Sequence, residues 1–222
     1  KAPKSSLFPI VHTLEQRKYI MCDAGSGKYR LGLRTYIIGA SCTSQSGFEP
    51  LINIMNSVTE STQETSQFGI LEGGNVLYVA KKDSPQAIRM ISWVGTKLPA
   101  NATAIGKALL SDLTDEQIRD LYRDGLPKLT EHTISDMDLL LGQIEQIRCG
   151  EIATETEEST PQMRCFAVPI RQNGRVDAAL SISVPIFRYT DEKRVQICQC
   201  LREAQQQIEQ LVGLYNFELI KP

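Results

Sequence analysis

The chain has 222 residues, of which 41% are hydrophobic and 23% are charged, and its formal net charge is −2. This composition is typical of a folded globular protein and excludes collagen-like, coiled-coil and disordered chains. No apolar run approaches the roughly 20 residues that span a bilayer, and no secretory leader precedes the first helix. We therefore expect a cytoplasmic protein with no membrane partner.

The cysteines and histidines indicate the redox environment. The six cysteines lie scattered along the chain without CxxC spacing, and the only histidines are His12 and His132. Cys198 and Cys200 are two positions apart in a predicted helix, so they point to different faces. This pattern excludes a zinc finger and is typical of free thiols in a reducing compartment.

Positive charge is concentrated at the start of the chain. Residues 1–34 carry seven lysines and arginines against two acidic residues, Glu15 and Asp23. A basic patch on a near-neutral body is typical of a small nucleic-acid-binding module that is joined to another domain.

The first predicted elements fit such a module. Residues 3–20 have apolar residues at helical spacing, with Ser5 or Ser6 as the N-cap and Pro9 near the first turn. Residues 19–32 predict a small basic hairpin. A helix followed by a basic hairpin forms the second half of a winged helix-turn-helix, in which the helix enters the major groove and the hairpin contacts phosphates. The helices that normally come first are expected to be missing from this sequence.

The remaining patterns predict an α+β fold. A linker helix starts at Gly32, and helices and strands follow it. Further helices are predicted over 49–64, 110–123, 135–150 and 190–215, with the capping box Thr114–Gln117 and the N-caps Ser135 and Thr190. Strands are predicted over 66–71, 75–82, 87–94, 164–172 and 176–185, the last two joined by the turn Asn173–Gly174. One antiparallel sheet with helices packed on it accommodates this order.

The stretch "PANATAIGKALL" (99–110) looks like a nucleotide-binding loop because a glycine precedes a lysine. A P-loop requires a further glycine and a Ser or Thr, but Asn101 and Ala108 occupy those positions. What remains is Thr103 as an N-cap, with the amides of Ile105 and Gly106 at a helix start that attracts an anion. Alternatively, Thr103 only caps a structural helix and Gly106 allows close packing.

Two other segments carry candidate chemistry. Glu155, Glu157 and Glu158 lie close to Cys165, but three acids on an irregular segment are more typical of a solvated loop than of acid–base catalysis. A nucleophilic role for Cys165 lacks a nearby histidine as base. Ser181 and Ser183 share one strand face, where they either hold a small polar ligand or bond the backbone.

Four segments together carry a family resemblance. "GKYRLGLRTYIIGA", "IRMISWVGTKLPANATAIGKALLSDLTDEQ", "EE…MRCFAVPI" and "GRVDAALSISVP" closely resemble the isocitrate lyase regulator (IclR) family of bacterial transcription factors. The resemblance covers nearly the whole chain. It implies a winged helix-turn-helix, a linker helix and a GAF-like effector-binding domain. It also implies a homodimer or homotetramer whose affinity for operator DNA is modulated by a small molecule.

The resemblance also implies roles for individual residues. In the family, the loop matching Ala104–Ile105–Gly106 offers amides to the effector's carboxylate, and an aspartate matches Glu155. The implied effector-binding set is Thr103, Ala104, Ile105, Gly106, Glu155, Cys165, Ser181 and Ser183. The recognition helix matches Lys4 to Thr13, and the implied DNA-binding set is Lys4, Ser5, Ser6, His12, Arg17 and Lys28.

This chain departs from the family pattern in several places. Asn101 and Ser159 stand where the family often has histidines, so we expect no metal and no cofactor. Residues 161–163 displace a glycine that usually precedes the Arg–Cys pair, which predicts a reshaped pocket wall. Pro9 replaces a common arginine of the recognition helix, which predicts an altered operator preference.

These observations give a three-part organisation. We expect the end of a winged helix-turn-helix over 1–31, a linker helix over 32–47 and the effector-binding domain over 48–218. The predicted function is a ligand-responsive, DNA-binding transcriptional regulator, such as a repressor, with a carboxylate effector. The alternatives are a ligand sensor that does not bind DNA and a cysteine-dependent enzyme, of which we expect the enzyme least.

Overall fold

The fold is described by a computed structural model over residues 4–45 and 48–215. The chain divides into two compact units, Lys1–Glu49 and Pro50–Pro222. The three-part boundaries predicted at 31 and 47 stay predictions. Among the described helices, none is both long and apolar enough to cross a membrane.

The first unit contains a helix, a hairpin and a second helix. Its elements are α1 (Lys4–Gln16), β1 (Ile20–Cys22), β2 (Tyr29–Leu31) and α2 (Leu33–Gln45). The two strands pair antiparallel, with Ile20 opposite Leu31. Ser5 and Ser6 lie inside α1, so the prediction that either one caps this helix is wrong.

The second unit is built on one six-stranded sheet. Its helices are α3 (Phe48–Thr62), α4 (Ala104–Leu110), α5 (Asp115–Leu121), α6 (Met137–Arg148) and α7 (Asp191–Tyr215). Its strands are β3 (Thr65–Glu72), β4 (Asn75–Lys82), β5 (Lys97–Pro99), β6 (Ala153–Thr156), β7 (Met163–Gln172) and β8 (Arg175–Pro185). The strand order is β5-β4-β3-β8-β7-β6 and every neighbouring pair is antiparallel, which confirms the predicted α+β class.

Helices cover both faces of the sheet because its strands are apolar on both sides. The inner face, defined by Cys165, Ala167 and Ala179, packs in one buried cluster with α4, α5 and α6. The outer face carries Ser66, whose hydroxyl hydrogen-bonds to Thr59 of α3 at 2.8 Å. α7 packs on β7 and β8 as well. The sheet is therefore a wall between two helical layers.

Turn and cap chemistry produced the accurate predictions. Asn173 and Gly174 have φ values of 51° and 81°, the two positive values that a type I′ turn requires. Thr114 and Gln117 form the predicted capping box of α5. Thr190 Oγ1 accepts from the backbone N–H of Lys193 at the start of α7.

Other predictions failed where tertiary packing decided the structure. Residues 87–94 are irregular rather than a strand, and the short strand β5 lies just beyond them. The predicted helix over 110–123 is interrupted, since α4 ends at Leu110 and α5 begins only at Asp115. The N-cap of α6 is Asp136, not Ser135. The acidic segment includes β6, which the sequence did not predict.

Gly106 fixes how deeply α4 sits in the fold. A Cβ atom at this position would lie 2.2 Å from the carbonyl oxygen of Ala100 and 2.3 Å from its Cα. Real contacts are never this short, and the obstacle is backbone that cannot rotate away. Any side chain at position 106 would therefore push α4 away from the preceding turn.

Gly106→Ala should lower the free energy of unfolding by about 3 kcal/mol or more, because overpacking forces the backbone to shift. Gly142→Ala is the matched control, since a Cβ on this α6 glycine meets nothing within 4 Å. That variant should be neutral or gain up to about 1 kcal/mol from helix propensity. Urea unfolding measures both, and equal effects of the two substitutions would contradict this account.

Candidate functional site

A row of polar side chains crosses the inner face of the sheet. Glu155 of β6 lies opposite Cys165 of β7, which lies opposite Ser183 of β8. Directly opposed residues share a sheet face, so these three side chains form one line. The Cys165 thiol donates to the Ser183 hydroxyl at 3.3 Å, and all three residues are buried. The sheet thus brings together three residues that the sequence spreads over 29 positions.

Gln67 of β3 extends this row, and the sequence did not identify it. Ser183 donates to Gln67 Oε1 at 3.1 Å, while Ser181 donates more weakly to the Gln67 carbonyl at 3.5 Å. The Gln67 amide in turn donates to the Ser92 hydroxyl at 2.6 Å. The two serines therefore bond both backbone and side chain. The one indication of Gln67 in the sequence was that it is a polar residue within a predicted strand that is mostly apolar.

The irregular segment 87–94 lies over this end of the row. Met90 and Ser92 are buried, whereas Ile91 and Trp93 are more than 70% exposed. Of these three apolar residues, only Met90 faces inward. Lys81 holds the segment by donating to the Ser92 carbonyl at 2.6 Å. Ser92 therefore joins the cover to the polar row.

The start of α4 faces the same side of the sheet. Thr103 is its N-cap, and Thr103 Oγ1 accepts from the Gly106 amide at 3.0 Å. The amides of Ala104 and Ile105 occupy the first turn, where no earlier helical carbonyl is available to them. The Ile105 side chain packs against Gly69, two positions from Gln67 on the same strand. The structure thus places the predicted loop on the same face of the sheet as the predicted serines.

The carboxyl group of Glu155 is buried rather than solvated. Burial raises its pKa above the usual 4.5, although hydrogen bonds from the Glu158 amide and the Ser159 hydroxyl oppose this. Glu158 is buried too. The prediction of a solvated acidic loop is therefore wrong. The end of β6 and the residues after it place the side chains of Glu155 and Glu158 in the protein interior.

Cys165 has the environment of an unreactive thiol. Burial raises its pKa well above the usual 9.0, and the nearby Glu155 carboxylate raises it further. A nucleophilic cysteine needs the opposite shift. His132 is exposed and lies 3.8 Å from Glu157. The geometry therefore disfavours a cysteine-dependent reaction.

Lys107 of α4 is a buried cation that the sequence analysis did not identify. Its side chain has no solvent-exposed surface. Its ammonium group contacts Glu158 Oε1 at 2.5 Å and Gln143 Oε1 at 2.8 Å. It also approaches the Thr154 carbonyl at 3.5 Å. One cation therefore ties α4 to α6, to β6 and to the loop after β6, and no sequence motif marked it.

The predicted DNA-contacting residues are exposed in the first unit. Ser5, Ser6 and His12 lie on α1, Arg17 follows that helix, and Lys28 lies beside the hairpin strand β2. The side chain of Lys4 lies outside the described residues.

The hairpin turn in the first unit is internally bonded. Asp23 Oδ1 accepts from both the amide and the hydroxyl of Ser26, each at 2.8 Å, which lowers the pKa of Asp23. These bonds order the loop that presents Lys28.

Metal ligands do not gather in the described part of the chain. Among residues 4–45 and 48–215, no three His, Cys, Asp or Glu side chains are arranged to hold an ion.

Lys107→Met should lower the free energy of unfolding by about 3–5 kcal/mol, because it leaves the buried Glu158 carboxylate without its cation. Adding Glu158→Gln should recover part of this loss by removing the buried charge. Arg123→Met is the control, since its ion pair with Asp120 is exposed and contributes at most about 1 kcal/mol. Denaturant unfolding measures all three variants; similar losses for Lys107→Met and Arg123→Met would contradict the assigned role.

Comparisons with known proteins agree with this arrangement. The transcriptional regulator KdgR of Dickeya chrysanthemi is 29% identical over 217 residues, which are 96% of this chain and 71% of that protein. An IclR regulator from Alicyclobacillus acidocaldarius superposes with a TM-score of 0.86 at 22% identity, covering 96% of this chain and 86% of that one.

Another related structure contains a small acid. An IclR homologue from Microbacterium hydrocarbonoxydans, solved in complex with 4-hydroxybenzoate, has a TM-score of 0.78 at 23% identity and covers 95% of this chain and 86% of that one. Residues 48–210 match the family described as "Bacterial transcriptional regulator IclR C-terminal". The chain therefore belongs to the IclR family of bacterial transcriptional regulators.

Proposed function

We propose that the polar row on the inner face of the sheet is the effector site and that its ligand is a small organic acid. The carboxylate accepts hydrogen bonds from the Thr103 hydroxyl and from the amides of Ala104 and Ile105. Ser181 and Ser183 bind the opposite end of the ligand. One observation carries this proposal: the fold gathers buried polar groups from β3, β6, β7 and β8 beside an amide-bearing helix start.

Hydrogen bonds within the protein refine the roles of the residues in the proposed effector site. The Gly106 amide is committed to Thr103, so Gly106 acts mainly by letting α4 approach closely. Cys165 and Glu155 shape the far wall, and their neutral forms are the ones that burial favours. When Glu155 is protonated, this wall does not repel the carboxylate of the ligand. The 4-hydroxybenzoate complex of a related protein supports a carboxylate ligand and makes that acid the first probe.

The ligand acts by shifting the equilibrium between two conformations of the protein. An effector changes operator binding only if it binds one arrangement of the protein better than another. The segment 87–94 is the element that responds, because Ser92 bonds directly to Gln67 of the site. Trp93, the chain's single tryptophan, is next to Ser92 and exposed, so its fluorescence reports on ligand binding.

The first unit binds operator DNA in this proposal. α1 enters the major groove, while Arg17 and Lys28 contact phosphates. All the described residues of the predicted set are exposed, as DNA contact requires. This function places the protein in the cytoplasm and distinguishes it from a ligand sensor that does not bind DNA.

The second unit assembles with further copies of the chain into a homodimer or homotetramer. An exposed apolar surface supports this assembly. Its residues are Ile88, Ile91, Trp93 and Val94, each at least 60% exposed. Single exposed apolar residues are ordinary, but four in one short segment favour an interface. Sedimentation of the full-length protein tests the assembly, and a monomer at micromolar concentration would contradict it.

Carboxylate affinity should rise as the pH falls through the raised pKa of Glu155. Glu155 has a raised pKa, so it takes up a proton in this direction and stops repelling the ligand's charge. Glu155→Gln should bind 4-hydroxybenzoate with an affinity that varies little with pH. Trp93 fluorescence and calorimetry measure the binding.

The control for this experiment is Glu157→Gln, since Glu157 is an acid of the same loop that lies outside the proposed site. It should keep the pH dependence of the wild type. Identical pH profiles for the wild type and Glu155→Gln would remove Glu155 from the site. The absence of saturable binding by 4-hydroxybenzoate and by other small carboxylates would overturn the proposed ligand class.

Operator binding should lose phosphate contacts in Arg17→Ala and Lys28→Ala. Each variant should weaken binding and lower the slope of log affinity against log salt by about 0.9, the value for one phosphate contact. The assay uses the full-length protein with DNA from the promoter regions that flank its gene. Arg123→Ala, which removes an exposed arginine of the second unit outside the segment 87–94, is the control and should behave as wild type. Unchanged slopes in both head variants would refute this DNA-facing surface.

A further inference from the structure

A cavity of about 470 Å³ lies at the β6 edge of the sheet, between α6, β6, β7 and α7. Thr154, Arg164 and Phe166 line it, and they alternate along their strands with Glu155 and Cys165. Alternate residues of a strand point to opposite faces. The cavity is therefore separate from the proposed effector site, and its volume is within the range of small-molecule sites.

Arg164 is held in place without a charged partner. Its guanidinium lies 4.3 Å from the centre of the Tyr189 ring and 5.6 Å from that of Phe166. The two rings are themselves stacked, with their centres 6.0 Å apart. The Arg164 Nε atom is buried and has no hydrogen-bond partner among the described residues. Buried donors are normally bonded, so the unsatisfied Nε atom is an unusual feature of this guanidinium.

A second guanidinium makes the cavity cationic. Arg194 of α7 lines it, and the carboxylate at its rim is that of Glu151, which is exposed. Within residues 4–45 and 48–215, neither Arg164 nor Arg194 forms an ion pair. Planar guanidinium groups bind carboxylates and phosphates through paired hydrogen bonds.

The rest of the wall suits a ligand that also carries hydroxyl groups. Gln143, Gln146 and Thr154 supply neutral hydrogen-bonding groups, and Ile147 and Ile152 supply apolar surface. Gln143 accepts from Lys107 through its oxygen, which leaves its NH₂ group to donate to a ligand. The Gln143 side chain therefore connects a ligand in the cavity to the ammonium group of Lys107, which anchors α4.

We propose that this cavity is a second binding site, for a small hydroxylated organic anion. Arg164 and Arg194 bind the carboxylate or phosphate group, and the amides and hydroxyl of the wall bind the hydroxyl groups of the ligand. Lys107 and Gln143 connect the site to α4. The site does not depend on the effector assignment, because the strand residues that line it, Thr154, Arg164 and Phe166, alternate with those of the polar row and no residue is shared.

Calorimetric titration of the full chain with four probes tests this site. The probes are gluconate, citrate, glycerol 3-phosphate and glucose 6-phosphate, which separate carboxylate from phosphate recognition. At least one probe should bind saturably. Arg194→Gln, an exposed position on α7, should weaken that binding by about tenfold or more. Arg123→Gln should leave it unchanged, because Arg123 is an exposed arginine away from the cavity.

Two further variants separate this site from the effector site. Thr154→Phe fills the cavity from an exposed strand position and should abolish binding, with circular dichroism confirming the fold. The double variant Ser181→Ala/Ser183→Ala alters the polar row and should keep wild-type affinity for the probe. The proposal is overturned if none of the four probes binds saturably or if Arg194→Gln binds as well as the wild type. Binding that is lost in the serine variant would likewise overturn it.

Discussion

The buried ion pair between Lys107 and Glu158 is the interaction on which the second unit depends. A lysine with no exposed surface is tolerable only with a carboxylate and further acceptors around it. Here the acceptors come from α6 and from β6 together with its following loop, so satisfying one cation fixes three elements around α4. Gly106 completes the constraint, because its missing side chain lets α4 reach the depth at which Lys107 meets Glu158.

The alternation of side chains along β6 and β7 divides the unit into two chemical environments. Glu155 and Cys165 point to the inner face, where burial favours their uncharged forms. Their strand neighbours Thr154 and Arg164 point to the outer face, where a guanidinium stacks on aromatic rings. A single pair of short strands thus supplies the wall of a proposed effector site on one side and of a cationic cavity on the other.

The sequence predicted features that depend on local chemistry and missed those that depend on packing. The turn at Asn173–Gly174 follows from backbone preferences, and the alternation in β8 placed Ser181 and Ser183 on one face. Burial of Lys107 could not be read from its neighbours, because the compensating carboxylate lies 51 positions away. Gln67 was missed for the same reason, since only strand pairing shows that it meets the two serines. The family resemblance identified the start of α4 without revealing its partners.

The most direct measurement is a crystal structure of the full-length protein with a bound carboxylate, beginning with 4-hydroxybenzoate. If the polar row is the effector site, the carboxylate oxygens lie within hydrogen-bond distance of the Ala104 and Ile105 amides and the Thr103 hydroxyl. The other end of the ligand then contacts Ser181 or Ser183. A structure in which bound 4-hydroxybenzoate makes no contact with the polar row or the start of α4 would contradict the central claim.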